Sequence, residues 1–216
     1  MSDANSASNP NILSLVLTPN NPVNTTLATE EGKVYYTVFT EHTKKASITQ
    51  VRDANEEIVG SLEWRDTLPD KVTYGRNKTV SIWDWMKKSI VPFKDDISFS
   101  DDQKRTYKWK GNSAGRALEL WASDSTAAIA FFHAPRRLPN PEDKSLPPIW
   151  TKAKLVLDTR AQEIQDLVVT SFLFLEKNRR TNETTSQNAA DVRGAPPLSG
   201  LNPLGDYKVR NGGVGR

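Results

Sequence analysis

Cysteine is absent from the 216 residues, and histidine occurs only at His42 and His133. Without thiols there is no disulfide framework, no thiolate metal site and no cysteine nucleophile, and the chain needs no oxidising compartment. The two histidines lie far apart, and neither has a second histidine or a carboxylate at a helical ligand spacing, which argues against a histidine metal site. Strong charge of one sign is missing too. With 29 Lys and Arg against 26 Asp and Glu the net charge is +3, too weak and too evenly spread for a dedicated DNA-binding domain.

Long apolar runs are equally scarce. The stretch Met1 to Asn11 is small and polar, with none of the apolar centre that a signal peptide requires. An intracellular location, cytoplasmic or nuclear, is therefore expected. Leu167 to Leu175 is strongly apolar, yet as a helix it would cover about 13 Å at ~1.5 Å per residue, less than half of a ~30 Å hydrocarbon core. No transmembrane segment is predicted. Familiar catalytic signatures are also wanting: there is no Gly-x-Ser-x-Gly elbow, and Asn211 to Arg216 is glycine-rich but lacks the Lys-Ser/Thr pair and the flanking strand and helix of a phosphate loop. No cofactor is implied.

Hydrophobic residues make up 37% of the chain, and with six Trp, five Tyr and seven Phe they suffice for a core. Between Ile12 and Asp158 they recur mainly with period two, broken at intervals by turn-forming clusters, the pattern of an all-β sandwich or barrel. Strands are predicted at Lys33 to Glu41, Ala46 to Asp53, Ile58 to Trp64, Lys71 to Trp83, Arg105 to Lys110, Arg116 to Ala122, Ala127 to Ala134 and Thr151 to Asp158. Glu30-Glu31-Gly32 reads as a turn. The proline-rich Pro135 to Pro148 reads as a surface loop, because proline cannot donate into a ladder. From Thr181 to Arg216 the large apolar side chains disappear, so folding is expected to end near Arg180 and 181–216 to form a solvated tail. Residues 1–11 are expected to be disordered as well.

Thr159 to Arg180 breaks the strand pattern. It contains no Gly or Pro, and Thr159 with Gln162 has the spacing of a capping box. Glu163 and Asp166 fall early in this helix and Lys177, Arg179 and Arg180 at its end, complementing the helix dipole. Its middle is apolar nearly all the way round, which a surface helix does not tolerate. Too short to span a membrane, it must be enclosed by protein; the alternative is a buried β-strand, which Val, Thr and Phe favour, against the helix formers that flank the run on both sides. Many short strands followed by such a helix suggest a mainly β fold, a closed or nearly closed antiparallel barrel over residues 12–180 around a C-terminal hydrophobic helix.

Several segments carry a resemblance. Leu15 to Leu27, Glu63-Trp64-Arg65, Tyr107-Lys108-Trp109-Lys110, and Asp166 to Thr170 running to Glu176-Lys177 and Arg179-Arg180 resemble, in that order, a domain-of-unknown-function family abundant in mushroom-forming (basidiomycete) fungi. That family is similar to tubby C-terminal-like and LURP-one-related barrels. The resemblance implies a fold and no activity.

Three candidate patterns remain. The pairs Asp95-Asp96 and Asp101-Asp102 read as hairpin-turn acids, since they lack the alternating ligands and central Gly of a calcium loop. Trp83 is assigned to the core, with Trp85 left open between core and surface. Period two places Lys104, Lys108 and Lys110 on one solvent face, opposite Arg105, Tyr107 and Trp109. Three lysines could hold an anionic ligand such as a phosphorylated headgroup, or could simply keep an outer strand soluble. The expectation is a non-enzymatic binding module for a protein partner or a phosphoinositide-type lipid surface, with nucleic acid disfavoured. The alternatives are a small-molecule hydrolase or transferase with a dispersed site, and a lipid-handling scramblase-like barrel.

Overall fold

The computed structural model describes residues 12–91, 94–113, 115–141, 143 and 145–194, with side chains through Thr185. Residues 1–11 and the tail beyond residue 194, both expected to be solvated, lie outside these. The chain begins with a meander of β1 (Leu13–Thr18), β2 (Thr25–Ala28), β3 (Val34–His42), β4 (Ser47–Asp53) and β5 (Ile58–Glu63). Next come β6 (Lys71–Tyr74), β7 (Val80–Ser81), the single-turn α1 (Ile82–Trp85) and β8 (Lys87–Lys88). A second meander contains β9 (Ile97–Ser100), β10 (Thr106–Lys110), β11 (Glu119–Ala122) and β12 (Ala128–His133). The described residues continue with the arm strands β13 (Arg137–Leu138) and β14 (Ile149–Trp150), then β15 (Lys154–Leu157), α2 (Thr159–Glu163) and α3 (Gln165–Gly194).

Alternation of side chains builds one antiparallel sheet of 13 strands, in the order β7-β6-β5-β4-β3-β2-β1-β15-β12-β11-β10-β9-β8. In β3, Tyr36 and Val38 point inward; in β10, Tyr107 and Trp109 do, leaving Lys108 and Lys110 outside. The expected turn at Glu30 to Gly32 is present, with Gly32 at φ +91. The proline-rich loop is less irregular than expected, since Arg137 and Leu138 pair with Trp150 and Ile149 as a separate two-stranded arm. The stretch Lys71 to Trp83 is not one strand but β6, a turn, β7 and the start of α1.

The sheet wraps round α3. Every residue from Leu167 to Glu176 is buried, and its partners come from widely separated strands. Phe172 meets Phe132 of β12 at 4.7 Å and Trp109 of β10 at 6.1 Å, Phe174 meets Trp85 of α1 at 6.3 Å, and Trp109 Nε1 donates to Ser171 Oγ at 3.0 Å. Thr170 sits against Gly60 of β5, where an added Cβ would lie 2.5 Å from Thr170 Cγ2, so a glycine there lets helix and sheet close. Of the expected closed or nearly closed sheet, the closed form is corrected: among the described residues no ladder joins β7 to β8, and the two ends of the sheet are linked by the chain through α1. Two-residue edge strands offer too few donors and acceptors to seal a cylinder.

The helix also departs from expectation. Asp158, not Thr159, caps its start, accepting from Ala161 N at 2.8 Å, and Ile164 leaves helical geometry (φ −121, ψ 35), so α2 and α3 are separate helices. At its other end α3 does not stop at Arg180 but continues to Gly194. Lys177, Arg179 and Arg180 therefore lie mid-helix, where the dipole offers them little.

Two outcomes test this packing. Phe172→Asp is expected to abolish cooperative folding, because an unpaired carboxylate enclosed by the sheet costs several kcal/mol against a total of ~5–15 kcal/mol. Gly60→Ala is expected to destabilise by about 1–3 kcal/mol through overpacking, and Thr170→Ala in the same chain to recover most of it. Thr170→Ala also removes a buried hydroxyl that has no hydrogen-bond partner. Thermal and denaturant melts of the two single variants and the double variant measure the recovery; simple additivity would disprove the close approach.

Candidate functional site

Strand direction assigns each connection to one end of the sheet. The connections ahead of β3, β5, β7, β10 and β12 gather round the start of α3, and the connections ahead of β2, β4, β6, β9, β11 and β15 gather where α3 leaves. The sequence-predicted trio is divided between them. Lys104 occupies a turn at φ +61 at the helix-entry end, its N–H bonded to Asp101 O, and it is not in a strand. Lys108 and Lys110 do share the outer face of β10, but both have partners. Lys108 Nζ lies 3.6 Å from Asp96 Oδ2, and Lys110 Nζ lies 3.6 Å above the Trp121 ring. The trio is not one surface.

At the helix-entry end Tyr36, Tyr74, Asp101, Arg105, Glu163 and Asp166 surround a recess of about 510 Å³. Asp101 behaves as the expected turn acid: Oδ1 accepts from Gln103 N and Arg105 N at 3.0 and 2.8 Å, and Oδ2 from Arg105 Nε at 2.6 Å. Burial alone would raise the Asp101 carboxyl, but the Arg105 guanidinium and N–H together with the Tyr107 hydroxyl overcome it and hold the group below the usual carboxylate range. Tyr36 OH donates to Asp166 Oδ1 at 2.5 Å and accepts from Gln165 Nε2 at 2.9 Å. Burial, then the Asp166 carboxylate, push the Tyr36 hydroxyl far above the ordinary tyrosine range; Tyr74 is raised by burial and by the charges of Asp166, Asp102 and Asp101. Both tyrosines stay protonated at neutral pH, and the Tyr36 hydroxyl is the donor to Asp166. The recess gathers both acidic and basic side chains, with Arg105 between Asp101 and Glu163.

At the opposite end a polar collar fixes α3 as it leaves the sheet. Glu176, 1% exposed, accepts from Arg179 Nε and Nη2 at 2.7 and 3.0 Å and from Arg180 Nε at 2.8 Å. Arg179 Nη1 reaches Arg116 O at 2.9 Å, and Arg180 donates to Asn20 O and Oδ1 at 2.9 and 2.8 Å. Lys177 Nζ contacts Asp70 Oδ2 at 2.6 Å and lies 4.6 Å above the Trp64 ring. A buried carboxylate is tolerable only with such partners.

Residues 20–181 match a family described as of unknown function. This chain belongs to the DUF6593 family. No curated protein matches it. Among solved structures it is similar to the X-ray structure of an Arabidopsis thaliana protein, with 16% identity and a TM-score of 0.44, covering 75% of this chain and 90% of that one. The DUF6593 match takes in the whole collar, from Asn20 to Arg180, and leaves out β1, although β1 lies between β2 and β15 in mid-sheet.

Beyond the collar, the DUF6593 domain exposes apolar side chains that sequence reasoning missed. Ile90 is 98% exposed in the β8–β9 connection, Trp150 is 69% exposed on the arm, and Leu68, Val91, Leu138, Leu146 and Ile149 are exposed at the same end. Around them Lys44, Lys45, Arg65, Lys94, Arg136, Arg137 and Lys152 are exposed and outside any ion pair in the described residues. The available signal was Ser89-Ile90-Val91-Pro92-Phe93 between lysines, an apolar run in a position that otherwise favours polar turn residues. Trp83, assigned to the core, is half-buried and packs against it with Lys88 Nζ 4.1 Å above its ring, and Trp85, left open, is equally half-buried and reaches Phe174 of the helix.

The lowered Asp101 carboxyl has a consequence for stability. Its folded value lies below its unfolded one, so the stabilisation is complete above the unfolded carboxylate pKa of about 3.9 and is lost as pH falls through the folded value. Asp101→Asn is expected to lower the melting temperature at pH 7 and to flatten its decline in acid; parallel acid limbs for the two proteins would contradict this.

Proposed function

We propose that this chain is a non-enzymatic, intracellular binding module, a nearly closed tubby-like barrel of the fungal type, which docks an acidic protein surface through the helix-exit end. One observation carries the reading: that end combines the two most exposed large apolar side chains, Ile90 and Trp150, with a field of cations outside any ion pair in the described residues. Tryptophan and arginine are the side chains that most often anchor protein interfaces, and apolar surface rimmed by charge marks such contacts. The opposite end is acidic in balance, with Glu30, Glu31, Glu56, Glu57 and Asp102 exposed. A partner would therefore be oriented by the domain's own field before contact.

A lipid surface fits this end less well. Residues 181–194 of α3 continue past the collar for about 20 Å at ~1.5 Å per residue, with Thr181, Asn182, Thr184 and Thr185 exposed. A flat bilayer would meet this polar helix before it met the apolar tips, whereas a protein can be shaped to receive it. The enzymatic alternative draws no support from the entry recess, where both tyrosines are held protonated.

A photo-crosslinking residue placed at Trp150, compared with one at the exposed Ile58 of the entry end, tests the reading in extract of the cells that make the protein. Adducts specific to position 150 are expected, competed by unlabelled wild-type chain, weakened by added salt, and lost with Ile90→Asp plus Arg137→Glu at unchanged melting temperature. Equal adducts from both positions would refute the reading. So would salt-sensitive pelleting of the wild-type chain with phosphatidylserine vesicles, which would favour the lipid alternative.

A further inference from the structure

The open seam of the sheet is a second site, distinct from the helix-exit end. Between its two ends lies a crevice of about 540 Å³, walled on one side by Val72, Tyr74 and Val80 and on the other by Ser98, Phe99 and Ser100, with Trp85 between them. Both walls are strand edges. β7 pairs with β6 alone, and β8 covers β9 only at Ser98 and Ile97, which leaves Phe99 and Ser100 with no ladder partner on the seam side. Trp85 bridges the interior, its ring 5.7 Å from Tyr74 and 6.4 Å from Phe99. Tyr74 and Phe99, one on each wall, are separated by the single Trp85 ring, and a strand entering here would pair with an edge at the ~4.8 Å interstrand spacing.

We propose that this seam binds an extended, acidic peptide segment of a partner as an added strand along the open edge of β9. The chemistry of the walls selects a peptide over an acyl chain. A lipid tail would cover the aromatic floor but leave the backbone N–H and C=O groups of both edges unpaired, whereas a peptide satisfies them in the manner of strand addition. The rim selects the charge: Lys78 and Lys87 are exposed and outside any ion pair in the described residues, and Asp84 is the one acid among the described lining residues. Because strand side chains alternate, a ligand with an apolar residue facing Trp85 presents its neighbours outward, where an acidic one meets the lysines. The site requires nothing from the helix-exit end and stands or falls separately from it.

Panning a random octapeptide phage library on the full chain supplies the probe. Enriched peptides are expected to alternate apolar with acidic residues and, when added as synthetic peptides, to shift the backbone amide resonances of Val80, Ser81 and Phe99–Ser100. N-methylation of alternate backbone nitrogens removes ladder hydrogen bonds while keeping the side chains, and is expected to weaken binding at least tenfold. Lys78→Glu with Lys87→Glu is expected to weaken binding similarly without shifting the melt. The proposal is overturned if no sequence enriches, if the N-methylated peptide binds as well as its parent, or if the shifts fall elsewhere. It is overturned equally if dodecanoate perturbs those amides and the peptides do not, which would make the crevice an acyl-chain site.

Discussion

An all-apolar helix segment cannot face water on any side, and this constraint organises the whole molecule. From Leu167 to Leu175 there is no polar face to leave outside, so the sheet must curve until it surrounds α3. The polar groups that do enter are handled singly: Ser171 is bonded to Trp109 and to Val168 O, and Thr170 is accommodated by the missing side chain at Gly60. Where the apolar run stops, Glu176 marks the boundary, and its charge is tolerated because Arg179 and Arg180 converge on it.

Enclosing a helix that runs along the axis of the sheet gives the molecule two chemically different ends. The start of α3 brings Asp166 beside buried tyrosines, next to the turn acid Asp101 and its Arg105. The far end joins the collar to loops carrying arginine, lysine and exposed apolar tips. These loops come from distant parts of the chain, yet alternating strand direction returns each to the same rim. Segregated charge of this kind orients an approaching partner even when the net charge is small.

Leaving the sheet unsealed has a physical cost, since free edges attract further strands. Here the edges are two residues long, α1 fills part of the gap, and Lys87 and Lys88 lie on the outermost strand. These features limit indiscriminate pairing while keeping a short stretch of β9 accessible. The aromatic contacts running from Tyr74 through Trp85 to Phe99 and Phe174 connect that stretch to the central helix. Occupancy of the seam would thus touch the core directly.

By itself, the sequence determined whatever depends on neighbours along the chain. Period two placed Tyr107 and Trp109 inward and Lys108 and Lys110 outward, and the all-round apolar run announced an enclosed helix, because side-chain direction follows from local backbone geometry. Local capping was legible only to within a residue, since Asp158 and Thr159 are both competent caps and the turn geometry chose Asp158. Only the tertiary structure decided which loops share an end, that Lys104 sits apart from Lys108 and Lys110, and that Asp96 and Trp121 occupy those two lysines. It also decided that the sheet stops short of sealing. Those outcomes depend on pairings between residues distant in sequence, whose energies no local periodicity encodes.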